Sequence, residues 1–189
     1  GNEEAAFLRY KIAAEEYGDA QAQYELARRY QEGNGVEPNE QKAIEWYRKA
    51  GQNGSLEAQT EMIRRCENGI GMEKSRTEAV VWCREAAKQG NVDAQYQLAE
   101  CYFEGDGGIE QDKEEAVKWY QEAAKQDKGD AQYQLAECYF EGDGVERDKK
   151  EAIKWYGEAA EQGHVEAQYK LAELYETGVE IEKNEKKAV

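Results

Sequence analysis

The sequence predicts an all-α fold, a right-handed superhelical α/α solenoid of antiparallel helix pairs, and three periodic features predict it. The tripeptide Ala22-Gln23-Tyr24 recurs as Ala58-Gln59-Thr60, Ala94-Gln95-Tyr96, Ala131-Gln132-Tyr133 and Ala167-Gln168-Tyr169, at spacings of 36, 36, 37 and 36 residues. The four tryptophans, Trp46, Trp82, Trp119 and Trp155, keep the same beat. A glycine pair punctuates each unit at Gly33/Gly35, Gly69/Gly71, Gly105/Gly107 and Gly142/Gly144, and the extra Gly108 accounts for the one longer step. Such a period marks stacked units, because a single helix pair cannot bury its apolar face alone.

In chain order, residues 1–18 read as a partial N-terminal repeat, a second helix only, with Arg9 at the tryptophan position. Full repeats follow over 19–56, 57–92, 93–129 and 130–165, and 166–189 is a truncated repeat ending before its Trp-Tyr. All six segments form one continuous solenoid domain. Within a unit, Ala94, Leu98, Ala99 and Tyr102 fall at helical spacing and make the apolar stripe of a first helix. The glycine pair stops that helix through a left-handed cap. The second helix opens at the N-cap candidates Asn39, Ser75, Asp112, Asp148 and Asn184, with Glu78, Glu115 and Glu151 three residues on. Its alanines, such as Ala43 and Ala50, let helix axes approach closely. Two units depart from the pattern. The repeat from Glu57 has Thr60, Cys66 and Cys83 where its neighbours carry tyrosine, which predicts looser packing, and the last has Glu180 for its second glycine. Both ends read as cuts through a longer array.

The order Ala-Gln-Tyr, Leu-Ala, Tyr, Gly-x-Gly-Val, Asp-x-x-x-Ala-x-x-Trp-Tyr, Ala-Ala-x-x-Gly resembles the Sel-1-like repeat, a relative of the tetratricopeptide repeat. Gly142-Asp143-Gly144-Val145 and Ala152-Ile153-Lys154-Trp155-Tyr156 carry the match most fully. The resemblance implies that first helices line a concave face that binds other proteins. Cysteine-rich bacterial relatives pair a cysteine near the end of one unit with one opening the next. Those positions are Ala124 and Ala131 here, so that pattern is absent.

Composition narrows the function further. The 189 residues hold 41 acidic and 25 basic side chains, a net charge of −16, which argues against nucleic acid or an anionic membrane as partner. No apolar run reaches the roughly 18 residues that span a bilayer, so no membrane insertion is expected. The single histidine, His164, lies in a connector and reads as an exposed linker residue, so histidine-based triads and metal sites lack their parts. The glycine loops lack the Gly-Lys-Ser/Thr ending of phosphate loops. Asp106, Glu110 and Asp112 miss the EF-hand register, because its twelfth position is Val117, and they read as turn and cap residues. No catalytic residue, cofactor or metal is expected. Cys101 and Cys138 occupy equivalent places in adjacent units and read as reduced core residues, whereas the distance between Cys66 and Cys83 stays open. The compartment is not identified, although this cysteine pattern leans toward a reducing one.

The remaining signal is on the surface of the first helices. Tyr96, Glu100 and Phe103 form a stripe outside the core face, repeated as Tyr133, Glu137 and Phe140. Either the tyrosines bury against the neighbouring unit, or the stripe is a ligand groove. Along the same row the charge changes from Arg28 and Arg64, with Arg29 and Arg65 beside them, to Glu100, Glu137 and Glu173. The arginines either meet a partner's carboxylates or pair with Glu25, Glu32, Glu61 and Glu67 at helical spacing. The expectation is a non-catalytic scaffold or adaptor that holds a peptide or partner helix in its concave groove. The alternatives are an exported cell-envelope or host-interacting effector of the same fold and, less favoured, a hydrolase of wall-derived substrates. End-to-end self-association of the stack is also expected to be possible.

Overall fold

The structure, a computed structural model, describes residues 1–177; Glu180 and Asn184 lie outside the described residues. Ten helices follow one another: α1 (Asn2–Glu16), α2 (Ala20–Glu32), α3 (Glu40–Gln52), α4 (Leu56–Asn68), α5 (Arg76–Lys88), α6 (Val92–Glu104), α7 (Lys113–Ala124), α8 (Gly129–Glu141), α9 (Lys149–Glu161) and α10 (Val165–Thr177). No strand occurs among the described residues, and the fold is an all-α helical repeat, as the periodicity predicts. The helices group into two compact units, one from Gly1 to Asn91 holding α1–α5 and the other starting at Val92 and holding α6–α10. In each unit every helix packs on its neighbours in sequence.

Local chemistry sets the helix ends. Asn39, Ser75, Asp112 and Asp148 each accept a hydrogen bond from a backbone amide in the first turn, as do Asp19 and Ser55. Each such cap contributes on the order of 1 kcal/mol. Helices α2, α4 and α8 end on Gly33, Gly69 and Gly142 in the left-handed conformation. The second glycine of a pair has a different reason. A Cβ on Gly144 would lie 2.1 Å from the carbonyl oxygen of Lys113, and one on Gly35 would lie 2.3 Å from that of Glu3. The loop of one repeat therefore rests on the first turn of the preceding second helix, and only glycine permits the approach.

The core of the first unit runs through Leu26, Ala43, Met62, Cys66 and Ala86, and that of the second through Leu98, Tyr120, Leu135 and Tyr156, all buried. The looser packing expected in the repeat from Glu57 is not found in its core, where Cys66 and Cys83 are fully covered; the smaller side chains leave their gap instead beside Thr60 on the exposed side. All four cysteines are buried and unbridged. Burial pushes the Cys66 thiol up to about 11 and the Cys138 thiol up to about 12, so both stay protonated at neutral pH.

The recurring glutamine links successive repeats. Gln23, Gln59 and Gln132 are buried and donate to the carbonyls of Ala14, Gly51 and Ala124 at the end of the preceding second helix. Their side-chain oxygens accept from Asn53, Gln89 and Gln162 of the following connector. Gln95 accepts from Gln126 in the same way. One amide thus satisfies groups in two neighbouring repeats, which a helix-facing apolar residue could not do.

Candidate partner-binding surface on the first helices

The first helices of the two units are α2 and α4, then α6, α8 and α10. In the first unit Arg28 donates to Glu32 at 3.1 Å and lies 3.7 Å from Glu25, while Arg64 grips both carboxylate oxygens of Glu61 at 2.9 and 2.6 Å. Both arginines remain close to half exposed. Of the two readings for this charge, intrahelical pairing is the one adopted. The Arg28 pairs are exposed and contribute little, whereas the Arg64 pair joins an exposed guanidinium to the largely covered Glu61. Arg29 is half-buried, donates to the Asn34 carbonyl and lies 5.0 Å over the Tyr10 ring.

Arg65 overturns its expected place in a surface cluster. Its side chain is 0 % exposed and is held by Glu61 at 2.7 Å, by Glu40, by the Ile70 carbonyl at 3.3 Å and by Gln31 at 3.0 Å. Its guanidinium also lies 5.0 Å from the centre of the Tyr47 ring. The repeat register explains the burial, because Arg65 is equivalent to Cys101, Cys138 and Leu174, each buried in its own repeat, and to the half-buried Arg29. That alignment was the signal available in the sequence. Burial alone would raise the Glu61 carboxyl, but the guanidinium groups of Arg64 and Arg65 outweigh it and hold the group below the usual carboxylate range.

The second unit builds the same aromatic group twice. Tyr96 and Phe103 are half-buried with ring centres 5.9 and 6.3 Å from Tyr120, and the Tyr96 hydroxyl donates to Glu100 at 2.8 Å. Tyr133 and Phe140 lie 5.8 and 6.5 Å from Tyr156, whose hydroxyl donates to Glu137. The tyrosines are therefore partly taken up by the repeat's own packing. Cations lie near these rings: Lys128 5.8 Å from the centre of Tyr96, Lys113 4.9 Å from that of Phe103, and Arg147 and Lys170 5.8 and 5.3 Å from that of Phe140. Glu173 is exposed, 4.0 Å from Lys170.

His164 is not the exposed linker residue expected. Its ring stacks on Tyr133 at 4.7 Å with 15 % of the side chain exposed, and its Nδ1 accepts from the Ala167 amide at the start of α10. Asp106 accepts from the Gly107 amide and Asp112 caps α7, in keeping with turn and cap roles. Among the described residues no group of three or more His, Cys, Asp and Glu side chains could hold a metal ion. None of the described helices is long and apolar enough to cross a membrane.

Two clefts in the first unit went unread in the sequence. One, of about 460 Å³, opens on α2 and α4 and is lined by Tyr24, Leu56, Glu57, Thr60, Glu61, Arg64 and Asn91. Its signal was Thr60 in place of the tyrosine of the other repeats, beside Cys83 at the second-helix tyrosine position. The other, of about 730 Å³, lies between α3 and α5 over Gly51, Val81 and Trp82, rimmed by the Arg48–Glu78 and Lys88–Glu85 pairs. Gly51 replaces the alanine of other repeats, and Val81 stands where they carry Lys118 and Lys154.

The sequence profile of the Sel1 repeat matches residues 20–55, 57–91, 92–128, 129–164 and 165–189. Among solved structures, the chain is similar to a protective antigen present in uropathogenic Escherichia coli strains that displays an SLR fold, at 37% identity and a TM-score of 0.75. That match covers 96% of this chain and 40% of the other. A Sel1 repeat protein from Oxalobacter formigenes is 36% identical with a TM-score of 0.62, covering 97% of this chain and 73% of its own. Cysteine rich protein B of Helicobacter pylori, 20% identical with a TM-score of 0.51 over 67% of this chain and 90% of its own, shares the fold. No curated protein matches the sequence.

Proposed function

Because the chain belongs to the Sel1 repeat family, whose members generally mediate protein–protein interaction and are typically non-catalytic scaffolds, we propose that it binds a peptide or helix of a partner protein along its first helices. The repeated aromatic group is the observation that carries this reading. Tyr96 and Phe103 against Tyr120, and Tyr133 and Phe140 against Tyr156, are half-buried rings fixed by their neighbours, so they offer apolar contact with little further loss of side-chain freedom. In the first unit Arg28, Arg64 and, to a lesser extent, Arg29 supply donors that orient a partner, whereas Arg65 is reserved for the fold. In the second unit Glu100, Glu137 and the exposed Glu173 add acceptors.

Peptides selected on the 189-residue chain from a random display library provide the test. The variants F103A, F140A and R64A are each expected to weaken those peptides at least about tenfold, a hot-spot effect of about 1.4 kcal/mol, with helicity retained. Unchanged affinity in all three would overturn the assignment. A second reading, a protein exported to the cell surface, is supported by the likeness to a protective antigen. It predicts that the protein is found in the envelope or secreted fraction of its native cells, and confinement to the cytosolic fraction sinks it.

A further inference from the structure

We propose that the 460 Å³ cleft at Thr60 is the anchor pocket for a tyrosine side chain of the bound partner. The inference rests on the protein-binding reading above and supplies the chemistry of its anchor. The repeats themselves are the template. In three of them a first-helix tyrosine packs on a second-helix tyrosine, as Tyr24 on Tyr47, Tyr96 on Tyr120 and Tyr133 on Tyr156, with ring centres 5.7, 5.9 and 5.8 Å apart. In the repeat of α4 and α5 both partners are missing, because Thr60 and Cys83 occupy those positions.

The positions that surround the template tyrosines also border the gap, with other polar side chains on them. Tyr96 is flanked by Glu100 four residues on and by Lys128 of the following connector, and Tyr133 is stacked on His164 of its own following connector. The equivalents of these residues are Arg64 and Asn91, and both line the cleft. Tyr24 and Leu56 add apolar wall. The gap therefore lies where the other repeats seat a tyrosine, bordered by the same register positions.

Polarity selects tyrosine over a purely apolar ring. Tyr96 sends its hydroxyl to the acid at Glu100, but the equivalent Arg64 is a donor, paired with Glu61 on the same wall. A phenol seated here accepts from the Arg64 guanidinium and donates to the Glu61 carboxylate, joining the existing pair. A phosphorylated tyrosine is disfavoured by Glu57 and Glu61, which would face its added negative charge.

The test is an amide-shift NMR titration of the whole chain with p-cresol, the tyrosine side chain as a free molecule. Saturable shifts are expected at Tyr24, Thr60, Arg64 and Asn91, with at least about tenfold weaker binding in T60Y, which supplies the missing ring from within. T60F, which fills the gap without a hydroxyl, must block the site as well, so the result does not depend on one variant folding. The inference is overturned if no saturable shifts occur, if both filled variants titrate like the wild type, or if toluene binds as tightly as p-cresol. Should selected peptides lose affinity in F103A and F140A yet bind T60Y and T60F unchanged, the anchor falls while the protein-binding reading stands. Loss in T60Y, T60F and R64A but not in F103A and F140A would keep the anchor and remove the aromatic rows.

Discussion

Arg64 and Arg65 are adjacent in the chain and differ in almost every physical respect. Arg64 keeps 49 % of its side chain in solvent and holds one carboxylate, whereas Arg65 keeps none and joins α4 to Glu40 on α3 and to Gln31 on α2. Removing an exposed partner costs less than about 1 kcal/mol, but removing the fully covered Arg65 side chain empties a core site and takes the ion pair from Glu40, at a cost of about 3–5 kcal/mol. R65A should therefore lower the urea-unfolding free energy severalfold more than R64A. The penalty should also depend on pH. Glu61 has a lowered folded-state pKa, so the stability its pairing contributes is present above the ordinary carboxylate range and is lost as pH falls through the depressed value. The difference between R65A and wild type should shrink on acidification along that path; equal costs for R64A and R65A at neutral pH would refute the role given to Arg65. A helical wheel drawn for one helix places two adjacent arginines about 100° apart and leaves either free to face solvent. The deciding fact is Arg65's alignment with Cys101, Cys138 and Leu174, which is visible only when repeats are compared position by position.

At the scale of the element, Gly144, the second glycine of its pair, separates backbone conformation from contact. Gly144 and Gly163 both have positive φ, 68° and 86°, but a Cβ on Gly163 meets nothing within 4 Å while one on Gly144 runs into the backbone of Lys113. G163A should cost about 1 kcal/mol, the strain of a non-glycine residue in the left-handed region. G144A should cost at least about 2 kcal/mol more, because the loop must also leave the first turn of α7. Denaturant unfolding of the two variants measures the difference, and equal costs would show that the loop does not depend on this contact. The caps and the positions of the glycines were legible in the sequence, since Asn39, Ser75, Asp112 and Asp148 act on amides two or three residues away. The glutamine of Ala-Gln-Tyr was legible as a repeat marker but not in its role. Its donors and acceptors lie 8 to 31 residues away in other elements, as with Gln59 between Gly51 and Gln89 or Gln95 and Gln126. The Thr60 cleft was hidden for a related reason: a missing side chain forms a pocket only if the neighbours keep their places.

For the whole molecule, the charge of −16 is an excess that local pairing does not remove. Pairs such as Lys88–Glu85, Lys118–Glu115, Lys125–Glu122 and Lys154–Glu151 run three residues apart along second helices and are well exposed. Each contributes about 0.3–0.5 kcal/mol, and salt screens that contribution. Acting against these pairs is the mutual repulsion of the carboxylates left over, which reaches beyond nearest neighbours at low ionic strength and falls away once the Debye length drops to about 10 Å near 0.1 M salt. The buried cluster around Arg65 is screened much less than either. Because acidic residues outnumber basic ones by 16, relief of repulsion should outweigh the loss of surface pairs. The midpoint of thermal unfolding, followed by helical circular dichroism, should therefore rise as sodium chloride is increased from about 0.01 M to 0.15 M. A midpoint that falls over that range would mean that the helical ion pairs, rather than the acidic excess, govern how this repeat array responds to its ionic surroundings.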